Sequence, residues 1–162
     1  MPVLCINRGV PGTAGSRAAT LDAVLAYRHP GVLARYVKDF GGDRGAAEEL
    51  FGELMRWLYL CARATEPGGS GRLSMYPEIL RIDDMWHVFL MHTHDYADFC
   101  TRYFGRFIHH YPTPTAEPRA QGEDAQLEGF LSFLYDELGE ATVRRWFQEQ
   151  RFAKAATPTE SG

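Results

Sequence analysis

The chain has 162 residues, of which 45% are hydrophobic and 23% are charged, and its formal net charge is −4. A disordered chain would carry fewer apolar residues, and a nucleic-acid-binding protein would show a basic excess, so the composition disfavours both classes. The length suits one globular domain.

Between two segments without regular apolar spacing, the hydrophobic pattern along the chain is helical. Residues 1–17 are rich in Gly, Pro and small residues, and residues 155–162 read AATPTESG, so we expect a flexible N-terminal segment and a disordered tail. The intervening residues 18–154 are expected to form a single helical domain. Apolar residues recur every three or four positions between Gly, Pro and capping residues, which predicts helices over 21–28, 32–40, 43–65, 82–107, 123–138 and 141–154.

One of these helices, residues 82–107, is much longer than the others. Its apolar residues fall on one side of a helical wheel, with charged residues opposite. No segment shows a convincing strand alternation. The sequence therefore predicts an all-α fold, an irregular bundle around this long central helix.

The three cysteines, Cys5, Cys61 and Cys100, include no CxxC pair, so neither a disulfide scaffold nor a structural zinc knuckle is expected. The N-terminus lacks the basic start and sustained apolar run of a secretory signal. The most apolar run, residues 85–91, is too short to span a bilayer. We expect a cytoplasmic protein that does not bind a membrane.

Histidine placement is the strongest indication of function. Imidazole is the commonest neutral nitrogen ligand for transition metals. Asp83 and His87 are one turn apart on the long helix and therefore face the same side, with Asp84 as the alternative acid. Five of the six histidines lie in one stretch of the chain: His87, His92, His94, His109 and His110.

A third ligand must come from elsewhere. His94 is two turns beyond His87, about 10 Å away, so the two share an ion only if the helix bends or another ligand lies between them. The other two histidines follow the helix end, and the proline-rich loop after them lets the chain fold back. Since neighbouring residues point in different directions, we expect one of the two to meet His87. The prediction is a divalent transition metal, Zn, Fe or Cu, with ligands drawn from Asp83, His87, His94, His109 and His110.

This site predicts a small metal-dependent tailoring or accessory enzyme that acts on a small molecule or a peptide. Tyr96, Tyr103 and Tyr111 are candidate proton donors. In the alternative interpretation the protein is a non-catalytic interaction module, in which the Asp83–His87 pair is a structural brace and the aromatic residues are core. A third interpretation is an acidic accessory protein of a larger enzyme. The reaction and the oligomeric state stay open.

Several motifs carry a family resemblance: residues 82–89 (IDDMWHVF), Phe99-Cys100, Phe104-Gly105 and residues 108–112 (IHHYP). Over about residues 46–147 the chain resembles uncharacterised small bacterial proteins with an acidic-x-x-Trp-His-x-Phe…Phe-Cys…Phe-Gly…His-His-x-Pro pattern. It is more distantly similar to the glycine-rich domain-containing proteins, in which a second histidine often stands where this chain has Phe89. The resemblance implies that the motif residues are Asp83 or Asp84, Trp86, His87, His109 and His110. It implies no activity.

Overall fold

The computed structural model describes residues 3–5, 19–71, 73–112, 123–149 and 151–154. Within these residues the chain forms seven α-helices and three short strands, so the all-α prediction is confirmed. In chain order the elements are β1 (Val3–Cys5), α1 (Leu21–Leu25), α2 (Pro30–Phe40), α3 (Arg44–Ala64), β2 (Leu73–Ser74), a 3₁₀ turn (Pro77–Ile79), α4 (Leu80–Met91), α5 (Thr93–Phe104), β3 (His110–Pro112), α6 (Glu123–Leu138), α7 (Glu140–Val143) and a π-helical turn (Arg144–Gln148).

Helix α3 is the centre of the bundle. Asp43 caps its N-terminus, because the Asp43 side chain accepts a hydrogen bond from the Ala46 amide at 2.8 Å. Helices α1, α2, α4 and α6 all contact α3. The three tryptophans, Trp57, Trp86 and Trp146, are inaccessible to solvent, and each supplies a large apolar area to the core.

The predicted long central helix is wrong in one respect, since residues 82–107 are two consecutive helices, α4 and α5. The helical conformation is interrupted at His92, whose φ of −87° and ψ of 62° are not helical. Gly105 then ends α5 in the left-handed conformation, with φ 67°. Phe107, expected on the apolar stripe, lies beyond the helix and is 38% exposed.

The last predicted helix, residues 141–154, is also shorter than expected. Helix α7 ends at Val143 and continues as the π-helical turn, in which the Glu149 amide donates to the Arg144 carbonyl at 2.9 Å. The chain then returns to the start of α4, where the Arg81 amide donates to the Phe152 carbonyl at 2.9 Å.

The three strands, of two or three residues each, form a small antiparallel sheet in the order β2-β1-β3, which the sequence pattern does not reveal. Cys5 pairs with Leu73 on one side and with His110 on the other. Apart from β1, the predicted flexible segment 1–17 lies outside the described residues, and so does the predicted tail 155–162. Among the described helices, none is both long and apolar enough to cross a membrane.

Candidate metal centre

Asp83, His87 and His110 form a cluster in which one potential ligand atom from each residue lies within 4.8 Å of the others. Asp83 and His87 are one turn apart on α4, and His110 is the first residue of β3. His110 Nε2 lies 2.7 Å from Asp83 Oδ1. The expected return of the chain to the start of the helix is therefore present, and His110 makes the contact.

The hydrogen bonds of the cluster define which nitrogen of His87 is free. His87 Nδ1 lies 2.8 Å from the Asp83 backbone carbonyl and 3.4 Å from Asp83 Oδ2. A carbonyl oxygen only accepts, so Nδ1 carries the proton and donates to it. The neutral ring then keeps a free lone pair on Nε2, which is the usual state of a histidine prepared to bind a metal.

The cluster is closed on one side and open on the other. The Asp83 and His110 side chains are 12% and 6% exposed, whereas the His87 side chain is 53% exposed. The His110 ring packs edge-on against Trp86 at 4.5 Å and against His87 at 4.4 Å. A ligand would therefore approach from the His87 side.

A buried hydrogen-bond chain holds the segment that delivers His110. The Trp86 indole N–H donates to the Tyr96 hydroxyl at 3.0 Å, and that hydroxyl donates to the Ile108 carbonyl at 2.6 Å. Tyr96 is completely buried, and desolvation raises the pKa of its hydroxyl. Tyr96 thus supports the backbone two residues before His110 and has no exposed proton to give.

Tyr103, the second candidate proton donor, makes its described ring contacts away from the cluster. Tyr103 lies on α5, where its ring packs against Tyr27 at 5.9 Å and Phe99 at 4.9 Å. Tyr111 follows His110 in β3, and its side chain lies outside the described part of the structure.

The remaining predicted ligands lie outside the cluster. His94 is 84% exposed on α5 and pairs with Asp98 at 3.3 Å. His109 is exposed, with its ring 4.8 Å from Phe107. Asp84, the alternative acid, pairs with Lys154 Nζ at 2.7 Å. The structure therefore brings together three of the five predicted ligands.

Among the described residues, a second His/Asp group was missed by the sequence reasoning: His29, His92 and Asp95. His29 Nε2 lies 3.0 Å from Asp95 Oδ2, and this hydrogen bond holds the pKa of Asp95 below its ordinary value. The sequence signal is His29 itself, which stands between the helix predicted over 21–28 and Pro30. In the structure His29 caps the N-terminus of α2.

The chemistry of His29 makes this second group a poor metal site. The Val32 amide donates to His29 Nδ1 at 3.1 Å, so that nitrogen is unprotonated and the neutral ring carries its proton on Nε2. A metal at Nε2 would have to displace that proton while Nδ1 still accepts, which requires an imidazolate. The group instead joins the start of α2 to the start of α5.

The fold and the cluster define an all-α protein with a half-open His/Asp site. The model of the UCP032817-like family matches residues 23–132, and the chain belongs to this family. The matched range contains Asp83, His87 and His110. The family match gives no support to the more distant resemblance to the glycine-rich domain-containing proteins. Neither a curated protein nor a solved structure matches the chain.

Proposed function

We propose that the protein is a small helical metalloprotein in which Asp83, His87 and His110 bind one divalent transition metal, and that it works as a metal-dependent tailoring or accessory enzyme. The observation that carries the proposal is the convergence of three ligand atoms within 4.8 Å from two separate elements, with the His87 tautomer set by a backbone carbonyl.

The donor set supports this choice of ligand. Two imidazoles and one carboxylate suit Zn, Fe and Cu, and three protein ligands leave a position for water or substrate. Metal binding would replace the hydrogen bond between His110 Nε2 and Asp83 Oδ1, and the neutral His110 ring would then carry its proton on Nδ1. Because His87 is half exposed, a small molecule or a peptide has access to the site.

Metal content tests the proposal. Protein that carries no polyhistidine tag is incubated with Zn, Fe(II) or Cu(II), desalted and analysed for metal, in the wild type and in His87→Ala and His110→Ala variants. We expect close to one ion per chain in the wild type and at least tenfold weaker binding in both variants. His94→Ala is the matched control, since this exposed histidine on α5 lies outside the cluster. Equal metal content in all four proteins, or none in the wild type, would contradict the proposal.

The alternative, a non-catalytic interaction module, also has an observation in its favour. The short Asp83–His110 contact joins α4 to β3 and could be a structural brace alone. In that case chelator treatment would leave the thermal midpoint of the protein unchanged, while Asp83→Asn would lower it. If the cluster binds metal, chelator lowers the midpoint of the wild type and has no effect on Asp83→Asn.

We also propose a reducing compartment such as the cytoplasm for this protein. Cys100 is buried and forms no disulfide with another described residue, and such a cysteine is typical of proteins that stay in a reducing environment.

A further inference from the structure

A second concave site lies away from the proposed metal centre. It is a cavity of about 340 Å³ bordered by α1, α2, α3 and the π-helical turn. The cavity shares no lining residue with the Asp83–His87–His110 cluster. Its volume is at the small end of the range for ligand sites.

Glu53 is the buried acid of this cavity, with only 2% of its surface exposed. Its carboxylate accepts from the Trp146 indole N–H at 2.8 Å, and it pairs with Arg145 Nη2 at 3.1 Å and with Arg56 Nη1 at 3.4 Å. One carboxylate thus serves two guanidinium groups. Burial, together with the charge of Arg145, lowers the pKa of Arg56, whereas Glu53 opposes that shift.

The other two acids of the lining are already neutralised by arginines beside the cavity. Glu48 pairs with Arg44 at 2.9 Å, and Glu49 pairs with Arg151 at 2.8 Å. Neither of these acids is therefore free to balance the guanidinium groups of the lining.

Arg28 adds a further positive charge. Its Nη1 donates to the Leu25 carbonyl at 2.6 Å and to the Tyr27 carbonyl at 2.9 Å, which fixes the guanidinium at the cavity. Within the described residues it has no carboxylate partner. Five guanidiniums around the cavity therefore face three carboxylates, an excess of two positive charges in a chain whose net charge is −4.

The π-helical turn is what places two of these groups together. Arg145 and Trp146 are consecutive residues, yet both side chains reach Glu53. In a regular helix consecutive side chains diverge by about 100°. π-helical turns of this kind occur frequently at functional sites.

We infer that this cavity binds a small organic anion, with a carboxylate or phosphate group on a short apolar body. Guanidinium groups bind such oxyanions through paired, charge-assisted hydrogen bonds. The apolar part has its own surface, since Leu25, Leu33 and Phe51 also line the cavity. The inference is independent of the proposed metal site.

Titration calorimetry on chelator-treated protein tests this inference, with benzoate, phenyl phosphate and inorganic phosphate as probes at a constant chloride concentration. We expect one organic anion to bind per chain and to bind more tightly than inorganic phosphate. The better of benzoate and phenyl phosphate identifies the preferred headgroup. Arg28→Gln should weaken binding about tenfold, the equivalent of one charge-assisted hydrogen bond.

Arg35→Gln is the control variant, because Arg35 lies on α2, pairs with Asp39 and does not line the cavity. It should bind the probes as the wild type does. Arg28 makes no ion pair with another described residue, so its replacement should leave the fold intact, and circular dichroism of the variant verifies this. No binding of either organic anion, or equal weakening by both substitutions, would overturn the inference.

Discussion

Replacing Tyr96 with phenylalanine removes one oxygen atom from the buried link between Trp86 and the backbone that leads to His110. The aromatic ring keeps its shape, so no large cavity forms. Two hydrogen bonds are lost, at 3.0 Å from the Trp86 indole and at 2.6 Å to the Ile108 carbonyl. The Trp86 indole N–H and the Ile108 carbonyl then stay buried without the hydroxyl as their hydrogen-bond partner.

The magnitude follows from those two groups. A buried donor or acceptor left unsatisfied costs about 1–3 kcal/mol. For the Trp86 N–H and the Ile108 carbonyl together we expect a loss of about 2–6 kcal/mol in the free energy of unfolding. In a domain of this size, 3 kcal/mol corresponds to a thermal midpoint lower by roughly 6–12 °C.

Urea unfolding followed by circular dichroism measures this loss, with calorimetry for the midpoint. Tyr135→Phe is the matched control, because Tyr135 is 54% exposed, and its free energy of unfolding should change by less than about 0.5 kcal/mol. If Tyr96→Phe destabilises the protein by less than about 1 kcal/mol, the hydroxyl does not connect Trp86 to Ile108 and our account of how His110 is positioned is wrong.

Two further predictions concern buried ionisable groups. Glu53→Gln leaves the guanidiniums of Arg56 and Arg145 without their anion and should lower the free energy of unfolding, measured in urea, by about 3 kcal/mol. Glu49→Gln, in an exposed ion pair, should change it by less than about 1 kcal/mol. Equal effects of the two substitutions would contradict the conclusion that Glu53 balances both buried guanidiniums. Burial raises the pKa of the Cys100 thiol from 9.0 to about 11. Between pH 9 and pH 11 this thiol therefore ionises only in the unfolded chain. The resulting stabilisation is complete below about pH 9 and is lost as the pH rises to 11, by about 2–3 kcal/mol. Urea unfolding across this range should show a shallower decline in Cys100→Ala, and an unchanged decline would contradict the shift.

The break between α4 and α5 shows what periodicity can and cannot predict. Phe89 and Tyr96 lie seven residues apart, and both are fully buried, so the apolar stripe continues across the break. Neither Gly nor Pro marks His92. The conformation at that residue accompanies contacts with His29, whose ring lies 4.9 Å away and comes from a distant part of the sequence. Local patterns carry no signal for such a contact.

The choice between His109 and His110 depended on a strand that is too short to detect. Side chains alternate across a strand, so only one of two adjacent histidines can face α4. Strands of two or three residues show no measurable alternation, and β3 begins at His110. The pairing of Asp83 with His87 was accessible to sequence reasoning, because it depends only on the rise and turn of a helix.

Glu53 illustrates a different limit. It lies among buried residues of α3, and a carboxylate in that environment needs cationic or hydrogen-bonding partners. The sequence reasoning did not select it, since one acid beside an apolar stripe is common. Its partner Trp146 is 93 residues away in the sequence. That pairing arises only when the chain after α6 packs back against α3.

Strand β1 lies in the middle of the sheet and pairs with β3, the strand that carries His110. Cys5 is paired directly with His110 and Val3 with Pro112. Removal of residues 3–5 would leave β2 and β3 with open edges where each now pairs with β1. The loss of β1 is thus expected to disturb the imidazole of β3 before it disturbs the helices.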